Sequence, residues 1–491
     1  MSNIIDLCII GGGVVGAAIA REASKYELKI VLLEKESDVA EGISKANSGV
    51  IHAGFNVKPG SLKAKFNIEG LSYFPKICEE LDIGYSLCKK LVIAKNDDEL
   101  KYLEKIFDQG KKNGSPGLSI IAETDIKNLE PNIEGKYALF SEKTAIITPY
   151  EFTIALAENA FQNGVNIYLN TEVVGIIKNP DNNFCIQTKD SKIFTTKYVI
   201  NAAGLFSDQI AGLIEECEYE VFPCRGEYYI LDQQASDLVK MAVYPVPPAD
   251  GSGLGIHLTP TINGNILIGP SAEYINDKAD IRNTKKTMDQ LKKEAYELLP
   301  KLKNIPFIKN FSGIRPKLFN AKSNTNFEDF IIEESKQMSN FINLIGIESP
   351  GLTSAPAIAK YIVETIFSKK IELKEKKKFN AFRQGIKRTK FLASNELLSL
   401  IEKDRNYAEV LCRCEQITKG EILAALNNPF QVKTLNGIKK RTHAMMGRCQ
   451  NGFCLPKIIE VLTNEYNLDP YSIVRKNEHS HILRGNTLCK N

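Results

Sequence analysis

The feature that most constrains the fold is GGGVVG, a glycine-rich turn that follows the apolar run IIDLCII near the start of the chain. A helix-like segment, AAIAREASKYE, and a second apolar run, KIVLLE, come after it. Gly11, Gly13 and Gly16 have the G-x-G-x-x-G spacing, which lets the backbone turn tightly and a pyrophosphate approach a helix N-terminus. Glu34 ends the second run, where a carboxylate can bind a ribose. The pattern predicts a buried parallel sheet with a dinucleotide site, and it disfavours a glycine turn without a ligand.

Two later stretches bear on which dinucleotide is bound. VINAAGLFSD is an apolar strand that ends in small residues, among them Gly204. NLIGIESPGLTSAPAIA is a strand, a turn and the start of a helix, and its Gly351, Leu352 and Thr353 would present backbone N–H groups and a positive helix end to a ligand. Such a helix end suits the electron-rich edge of a reduced flavin, so the stretch favours FAD. Taken singly, each stretch is also typical of an ordinary strand-to-helix loop.

A second type of strand is interleaved with the first. The runs KLVIA, VFPCRGEYYIL, GLGIHLTPT and GNILIGP mix polar and apolar positions. Such a mixture predicts an antiparallel sheet with one face buried. With 491 residues the chain is long enough for two to four domains, so both sheets can be accommodated.

Composition narrows the class of protein. Hydrophobic residues make up 43% and charged residues 25% of the chain, as in ordinary globular proteins. The net charge of +4 gives no reason to expect a nucleic acid partner. The N-terminus lacks the features of a secretory signal and no run of 18 apolar residues occurs, so we expect a cytoplasmic protein with reduced cysteines.

The segment 369–390 has a composition of its own, with ten Lys or Arg against two Glu. A charge block of this kind usually forms a solvated linker or face. The alternative is that it docks to an acidic partner or makes peripheral contact with the inner, anionic face of a membrane.

A cysteine cluster lies beyond the basic segment. LCRCEQI contains Cys412 and Cys414, and GRCQNGFC contains Cys449 and Cys454. In a reducing compartment clustered thiols are better explained as metal ligands than as disulfides. Four such ligands can hold a 2Fe-2S cluster or a tetrahedral zinc ion, although the one-residue gap of C-x-C is shorter than the spacing of common zinc sites.

The order of GGGVVG, LLEKE, SKANSGVIHAGF, NAAGLFSD, SGIRPK and GIESPGLTSAPA resembles that of the D-amino-acid-oxidase-like FAD oxidoreductases, over about residues 3–370. Within them it is most similar to FAD-dependent glycerol-3-phosphate dehydrogenases and oxidases, with L-2-hydroxyglutarate dehydrogenases as near relatives. The resemblance implies an α/β fold with a Rossmann-type FAD-binding domain and an antiparallel-sheet cap domain, to which a small C-terminal cysteine-rich iron-sulfur domain is added. The predicted divisions are an oxidoreductase over 1–370 (FAD-binding segments about 1–80, 145–215 and 330–370; cap segments about 81–144 and 216–329), a basic linker over 371–405 and a 2Fe-2S-binding domain over 406–491.

The resemblance also implies roles for particular residues. Alcohol oxidation on a flavin needs a base for the hydroxyl proton, and a neutral imidazole is the first candidate. His52, where flavin and substrate would meet, and His257, on a cap strand, are both candidates, and the sequence leaves the choice open. The residues that would line the flavin besides those already named are Ser44, Asn47, Ser48 and Gly49.

Cations are needed if the substrate is an anion, and Arg matches phosphate and carboxylate oxygens best. SGIRPK offers Arg315 and PCRGEYY offers Arg225, while we expect Lys317 to form a surface salt bridge. The resemblance implies that Arg315 and Ser349 contact the anionic end of the substrate, with Ser48 close by.

The function that the resemblance implies is oxidation of sn-glycerol 3-phosphate to dihydroxyacetone phosphate. The alternatives are oxidation of a 2-hydroxy acid such as L-2-hydroxyglutarate, or a flavin electron-transfer subunit without a substrate of its own. The cysteine segment resembles the 2Fe-2S modules related to bacterioferritin-associated ferredoxin, which favours the cluster over zinc. Similarity to anaerobic glycerol-3-phosphate dehydrogenase subunits implies that electrons pass on to a partner subunit, which the basic segment would help to dock.

Overall fold

The computed structural model describes residues 4–247, 255–320, 325–326 and 329–485. The chain forms two compact units. The first unit comprises Met1–Lys35 and Val39–Arg383, and the second comprises Glu36–Asp38 and Gln384–Asn491.

The regular elements of the described ranges follow in chain order. The strands are β1 Ile5–Ile10, β2 Ile30–Leu33, β3 Val50–Ile51, β4 Tyr85–Ser86, β5 Lys90–Ala94, β6 Leu118–Ala122, β7 Tyr137–Ser141, β8 Ala145–Ile147, β9 Asn166–Tyr168, β10 Val173–Lys178, β11 Phe184–Thr188, β12 Ile193–Asn201, β13 Tyr219–Leu231, β14 Ala242–Pro245, β15 Leu258–Pro260, β16 Ile266–Ile268, β17 Glu273–Tyr274, β18 Phe307–Asn320, β19 Thr325–Asn326, β20 Ile331–Glu334, β21 Phe341–Ile345, β22 Val410–Cys412 and β23 Ile417–Thr418. The α-helices are α1 Val14–Ala23, α2 Leu62–Glu80, α3 Asp97–Asn113, α4 Glu123–Leu129, α5 Pro149–Gln162, α6 Ser207–Ala211, α7 Lys285–Leu298, α8 Gly351–Tyr361, α9 Ser394–Lys403, α10 Lys419–Leu426, α11 Leu435–Thr442 and α12 Leu455–Tyr466.

The first sheet has the parallel core that the N-terminal pattern predicts. Strands β21, β12, β1, β2 and β9 are parallel neighbours in that order, while β10, β11 and β20 add antiparallel pairs. The four residues of β2 and the five of β21 are all buried, because a parallel sheet is covered on both faces. Helix α1 follows β1 directly, so the glycine turn lies at the carboxyl end of the sheet.

The second sheet is the predicted cap sheet. Its strands run in the order β19-β18-β13-β16-β15-β14-β5-β7-β6, and β17 also pairs with β13. The pairs are antiparallel except that of β14 with β5, which is parallel. Strands β14 and β5 are far apart in the sequence, so no local pattern such as a hairpin predicts that they pair. The predicted fold class, with two sheets of different character, is confirmed.

The basic segment is attached to the first unit over part of its length. The Lys374 carbonyl accepts from the Glu27 amide at 2.8 Å, the Lys376 amide donates to the Lys25 carbonyl at 2.8 Å, and Arg383 pairs with Glu158 at 2.7 Å. The division between the two units falls after Arg383.

The second unit has a core of its own, built from β22, β23 and helices α10 to α12 around Leu411, Ile438 and Ile458. Within the described ranges of the whole chain, every helix is too short or too polar to cross a membrane.

Candidate active site and cysteine cluster

The glycine turn is shaped by close backbone approach. Gly11 has a φ of +112°, which L side chains rarely adopt, and a Cβ on Gly16 would lie 2.0 Å from the Gly11 carbonyl oxygen. The Gly12 amide donates to Glu34 Oε2 at 2.6 Å, and the Val14 amide donates to Ser44 Oγ at 2.9 Å. The turn therefore leaves a side-chain-free edge beside the first turn of α1, with the Glu34 carboxylate next to it.

A cavity of about 540 Å³ opens beside this turn, within the first unit. It is lined by Val14 and Val15 of α1, by the segment around His52, by the start of α8 and by strands of the second sheet. Many of the residues singled out from the sequence line it: Ser44, Asn47, Ser48, His52, His257, Arg315, Ser349, Gly351 and Leu352.

The backbone of His52 is held from both sides. Its amide donates to Thr353 Oγ1 at 2.9 Å, and its carbonyl accepts from Asn67 Nδ2 at 2.5 Å. Burial, and secondarily the charge of Lys90, lowers the pKa of His52 to about 3. The imidazole is therefore neutral at physiological pH and able to accept a proton.

His257 also lines the cavity and is buried. Its ring stacks on that of Tyr244, with centroids 3.3 Å apart and an interplanar angle of 11°. This contact restrains the orientation of the His257 ring. Both histidines therefore line the same cavity, as a base that accepts the hydroxyl proton of the substrate must.

Arg315 lines the cavity, and its guanidinium donates to the Ser271 carbonyl. Lys317 also lines it and is not a surface residue: its Nζ lies 2.6 Å from Glu348 Oε2, and Lys63 Nζ lies 2.9 Å from Glu348 Oε1. Although burial opposes it, the charges of Lys317 and Lys63 hold the pKa of Glu348 below its ordinary value. Two lysines thus share one carboxylate at this wall.

Arg225 does not line the cavity. Its buried guanidinium lies 2.6 Å from Glu273, 2.9 Å from Asp280 and 3.5 Å from Glu227. With three carboxylates around it, the guanidinium is engaged in a structural ion cluster, so its position gives no support to the substrate contact expected from the sequence.

The remaining predicted flavin residues shape the site through the backbone. Asn47 Nδ2 donates to the Ile43 carbonyl, and its Oδ1 accepts from the Gly49 amide, both at 2.9 Å. Ser48 Oγ lies 3.4 Å from the Tyr228 hydroxyl. Gly49, Gly204 and Thr353 are not among the residues that line the cavity, although Thr353 supports His52 from behind.

Lys90 is a cavity residue that the sequence reasoning missed. It begins β5, is 4% exposed, and its Nζ lies 3.3 Å from the centroid of the Tyr244 ring and 5.2 Å from that of Phe55. KLVIA predicts a strand, but nothing in these five letters tells which way the lysine points.

The four predicted ligand cysteines lie in the second unit as two pairs. The hydrogen bond between the thiols of Cys412 and Cys454 lowers the pKa of Cys412 to about 6 and raises that of Cys454. Cys414 and Cys449 are the second interacting pair, and burial together with Cys449 raises the pKa of Cys414. All four are free thiols, and in the described ranges no three His, Cys, Asp or Glu side chains converge as for a single metal ion. Two pairs of thiolates are the donor set of a [2Fe-2S] cluster, which has two irons.

The site therefore has the parts of a flavin-dependent oxidoreductase: a cradle for a dinucleotide, a helix N-terminus and a neutral imidazole facing one cavity. Residues 6–365 match the family model described as FAD dependent oxidoreductase (DAO), and the chain belongs to this family. The cradle around Gly11 and the first turns of α1 and α8 fit FAD, since their N–H groups lack intrahelical partners. Residues 410–464 match the BFD-like [2Fe-2S] binding domain and include all four cysteines.

Relatives extend over different shares of the chain. A glycerol 3-phosphate dehydrogenase of Caloramator mitchellensis is 42% identical over 99% of this chain and 99% of its own length. A human L-2-hydroxyglutarate dehydrogenase is 35% identical over 55% of this chain and 61% of its own. Among solved structures, the dithionite-reduced L-alpha-glycerophosphate oxidase of Mycoplasma pneumoniae with FAD bound is 32% identical, with a TM-score of 0.71 over 78% of this chain and 99% of that one.

Proposed function

We propose that the chain oxidises sn-glycerol 3-phosphate to dihydroxyacetone phosphate with FAD as its cofactor. The observation that carries this proposal is that a neutral imidazole, His52, and cations such as Arg315 line one cavity beside the α8 N-terminus. The relative that matches both units over nearly its whole length bears the name of this activity.

The chemistry divides between cofactor and protein. FAD, when bound, supplies the acceptor for the hydride that leaves the alcohol carbon. The unprotonated ring nitrogen of His52 accepts the hydroxyl proton, and Arg315 holds the anionic end of the substrate with Ser48 and Ser349 nearby. The hydrogen bonds of Thr353 and Asn67 to the His52 backbone keep the imidazole in place while it does so.

The exit of electrons belongs to the second unit in this proposal. Cys412, Cys414, Cys449 and Cys454 would hold a [2Fe-2S] cluster, which carries one electron at a time to a partner protein. The chain has one dinucleotide fingerprint, so a relay is a more direct exit than a second nucleotide.

An anaerobic titration tests the substrate. The purified holoenzyme is mixed with glycerol 3-phosphate or with L-2-hydroxyglutarate, and the flavin absorbance is followed. Bleaching by glycerol 3-phosphate alone supports the proposal. Bleaching by L-2-hydroxyglutarate alone would indicate that the substrate is a 2-hydroxy acid. Bleaching by neither compound would favour an electron-transfer subunit without a substrate of its own.

A further inference from the structure

The position of Lys90 is defined by the alternation of β5. Lys90 and Val92 line the cavity, whereas Leu91 and Ile93 point to the other face and pack into the core of the cap sheet. The strand is not at an edge, because Lys90 pairs with Ser141 of β7 on one side and with Ala242 of β14 on the other. The lysine is therefore carried into the cavity by an interior strand of the cap sheet.

Its charge has no protein counterion in the part of the chain that the structure describes. Lys63 and Lys317 share the carboxylate of Glu348, but Lys90 forms no ion pair with a described residue. Buried ammonium groups are normally paired, because burial removes the hydration of the charge. Lys90 therefore departs from the usual arrangement at a position that faces the cavity.

Aromatic contacts replace only part of the hydration that the Lys90 ammonium loses on burial. The Nζ lies over the Tyr244 ring and within reach of the Phe55 ring, and such contacts stabilise an ammonium less than the hydration that it loses. The groups around the amine are these two rings, the buried Cys88 thiol and the neutral His52. Burial accordingly lowers the pKa of Lys90 to about 7. An anion that enters the cavity would supply the missing charge and favour the ammonium form.

We propose that Lys90 is a substrate-binding residue whose ammonium pairs with the anionic end of the substrate inside the cavity, with Tyr244 holding the amine in place. The ligand class is a phosphate monoester, or a carboxylate if the substrate is a 2-hydroxy acid, so that the identity of the anion rests on the proposed function. Without an anion, the charge on Lys90 helps to keep His52 unprotonated. With an anion bound, the two charges neutralise each other beside the base.

Isothermal titration calorimetry on the FAD-loaded full chain tests this role. Inorganic phosphate and glutarate are the probes, because they carry the two kinds of anionic end without the alcohol. Lys90→Met removes the charge and keeps the length of the side chain, Lys90→Arg retains a charge, and Lys95→Met changes an exposed lysine just after the same strand. We expect at least one anion to bind the wild type and Lys95→Met, and Lys90→Met to bind it about 30-fold or more weakly, with partial rescue in Lys90→Arg.

Equal affinity of the wild type and Lys90→Met overturns the proposal, and so does binding of neither anion to the wild type. Flavin absorbance and Tm are measured on each variant, and Lys90→Gln replaces Lys90→Met if the latter loses FAD. A merely structural lysine would change Tm and FAD content without a selective loss of anion affinity. Flavin reduction by glycerol 3-phosphate is scored separately, so a different substrate would alter the proposed function and leave the Lys90 result standing.

Discussion

At the scale of single residues, the site depends on how burial changes proton affinity. His52 and Lys90 line one cavity, and burial lowers the pKa of both. For the base, the lowered pKa keeps the imidazole in the neutral form that can accept a proton, and it also makes the imidazole a weaker base than an ordinary histidine. For the Lys90 ammonium, the lowered pKa reflects the free-energy cost of burying a charge, and an anionic ligand offsets that cost.

Replacing His52 tests its role as the base. His52→Ala should retain FAD and reduce the flavin about 100-fold more slowly with substrate, the lower end for loss of general-base catalysis. Anaerobic stopped-flow absorbance measures the rate. His257→Ala is the matched comparison in the same cavity, and a larger loss in His257→Ala than in His52→Ala would assign the base to His257 instead.

Replacing Lys90 should stabilise the protein while it weakens anion binding. The lowered pKa means that the unfolded chain binds more protons than the folded chain between about pH 7 and the ordinary lysine value of 10.5, so the stability contributed by Lys90 rises with pH across that window. Lys90→Met should raise the free energy of unfolding at pH 7 by about 0.5–2 kcal/mol and flatten this pH dependence. Thermal unfolding from pH 7 to 10 measures both; a lower Tm in FAD-loaded Lys90→Met would contradict the expectation.

At the scale of elements, Glu348 connects three of them. It precedes α8 and pairs with Lys63 of α2 and Lys317 of β18, and all three side chains are largely buried. The carboxylate therefore links three elements that line the cavity and also neutralises one of two positive charges there.

Glu348→Gln separates these two effects. Loss of the paired carboxylate should lower the free energy of unfolding by about 3 kcal/mol, as for a buried ion pair that loses one partner. Because the pKa of Glu348 is lowered in the fold, its contribution is present above the ordinary value of 4.5 and is lost as the pH falls through the lowered pKa. Urea unfolding at pH 7 and pH 4 measures the difference. Phosphate affinity should rise in the variant; a fall would mean that the two lysines do not face the ligand.

At the scale of the whole molecule, the two units carry separate parts of the proposed reaction. The first unit contains the cradle and the cavity, and the second contains the four cysteines. Substrate oxidation and electron exit should therefore respond to different substitutions.

Removing one cysteine tests this separation. Anaerobically purified wild type should contain about two iron and two sulfide per chain, and Cys454→Ser should lose most of both. The variant should still show flavin bleaching by substrate at close to the wild-type rate, while transfer to a one-electron acceptor falls. Iron and sulfide assays with stopped-flow absorbance measure these quantities. One zinc per chain without iron, in protein produced with ample iron, would rule out the relay.

The features that depend on neighbouring residues were predictable from the sequence. The glycine spacing, the apolar runs of β1 and β2 and the C-x-C and C-x4-C spacings depend on neighbours along the chain, so they predicted the cradle, the parallel sheet and the cysteine module. The structure and the family match confirm these elements and the fold class.

Which charged side chains face the cavity could not be predicted from the sequence, because it depends on tertiary contacts. Arg225 and Lys90 are both basic residues in strands of the cap sheet. Arg225 lies among three carboxylates, whereas Lys90 faces the cavity. The reason is that Glu273, Asp280 and Tyr244 come from distant parts of the chain, and the parallel pairing of β5 with β14 that brings Tyr244 to Lys90 leaves no local pattern. A side chain's charge is local, whereas its partner and its burial depend on contacts between elements far apart in the sequence.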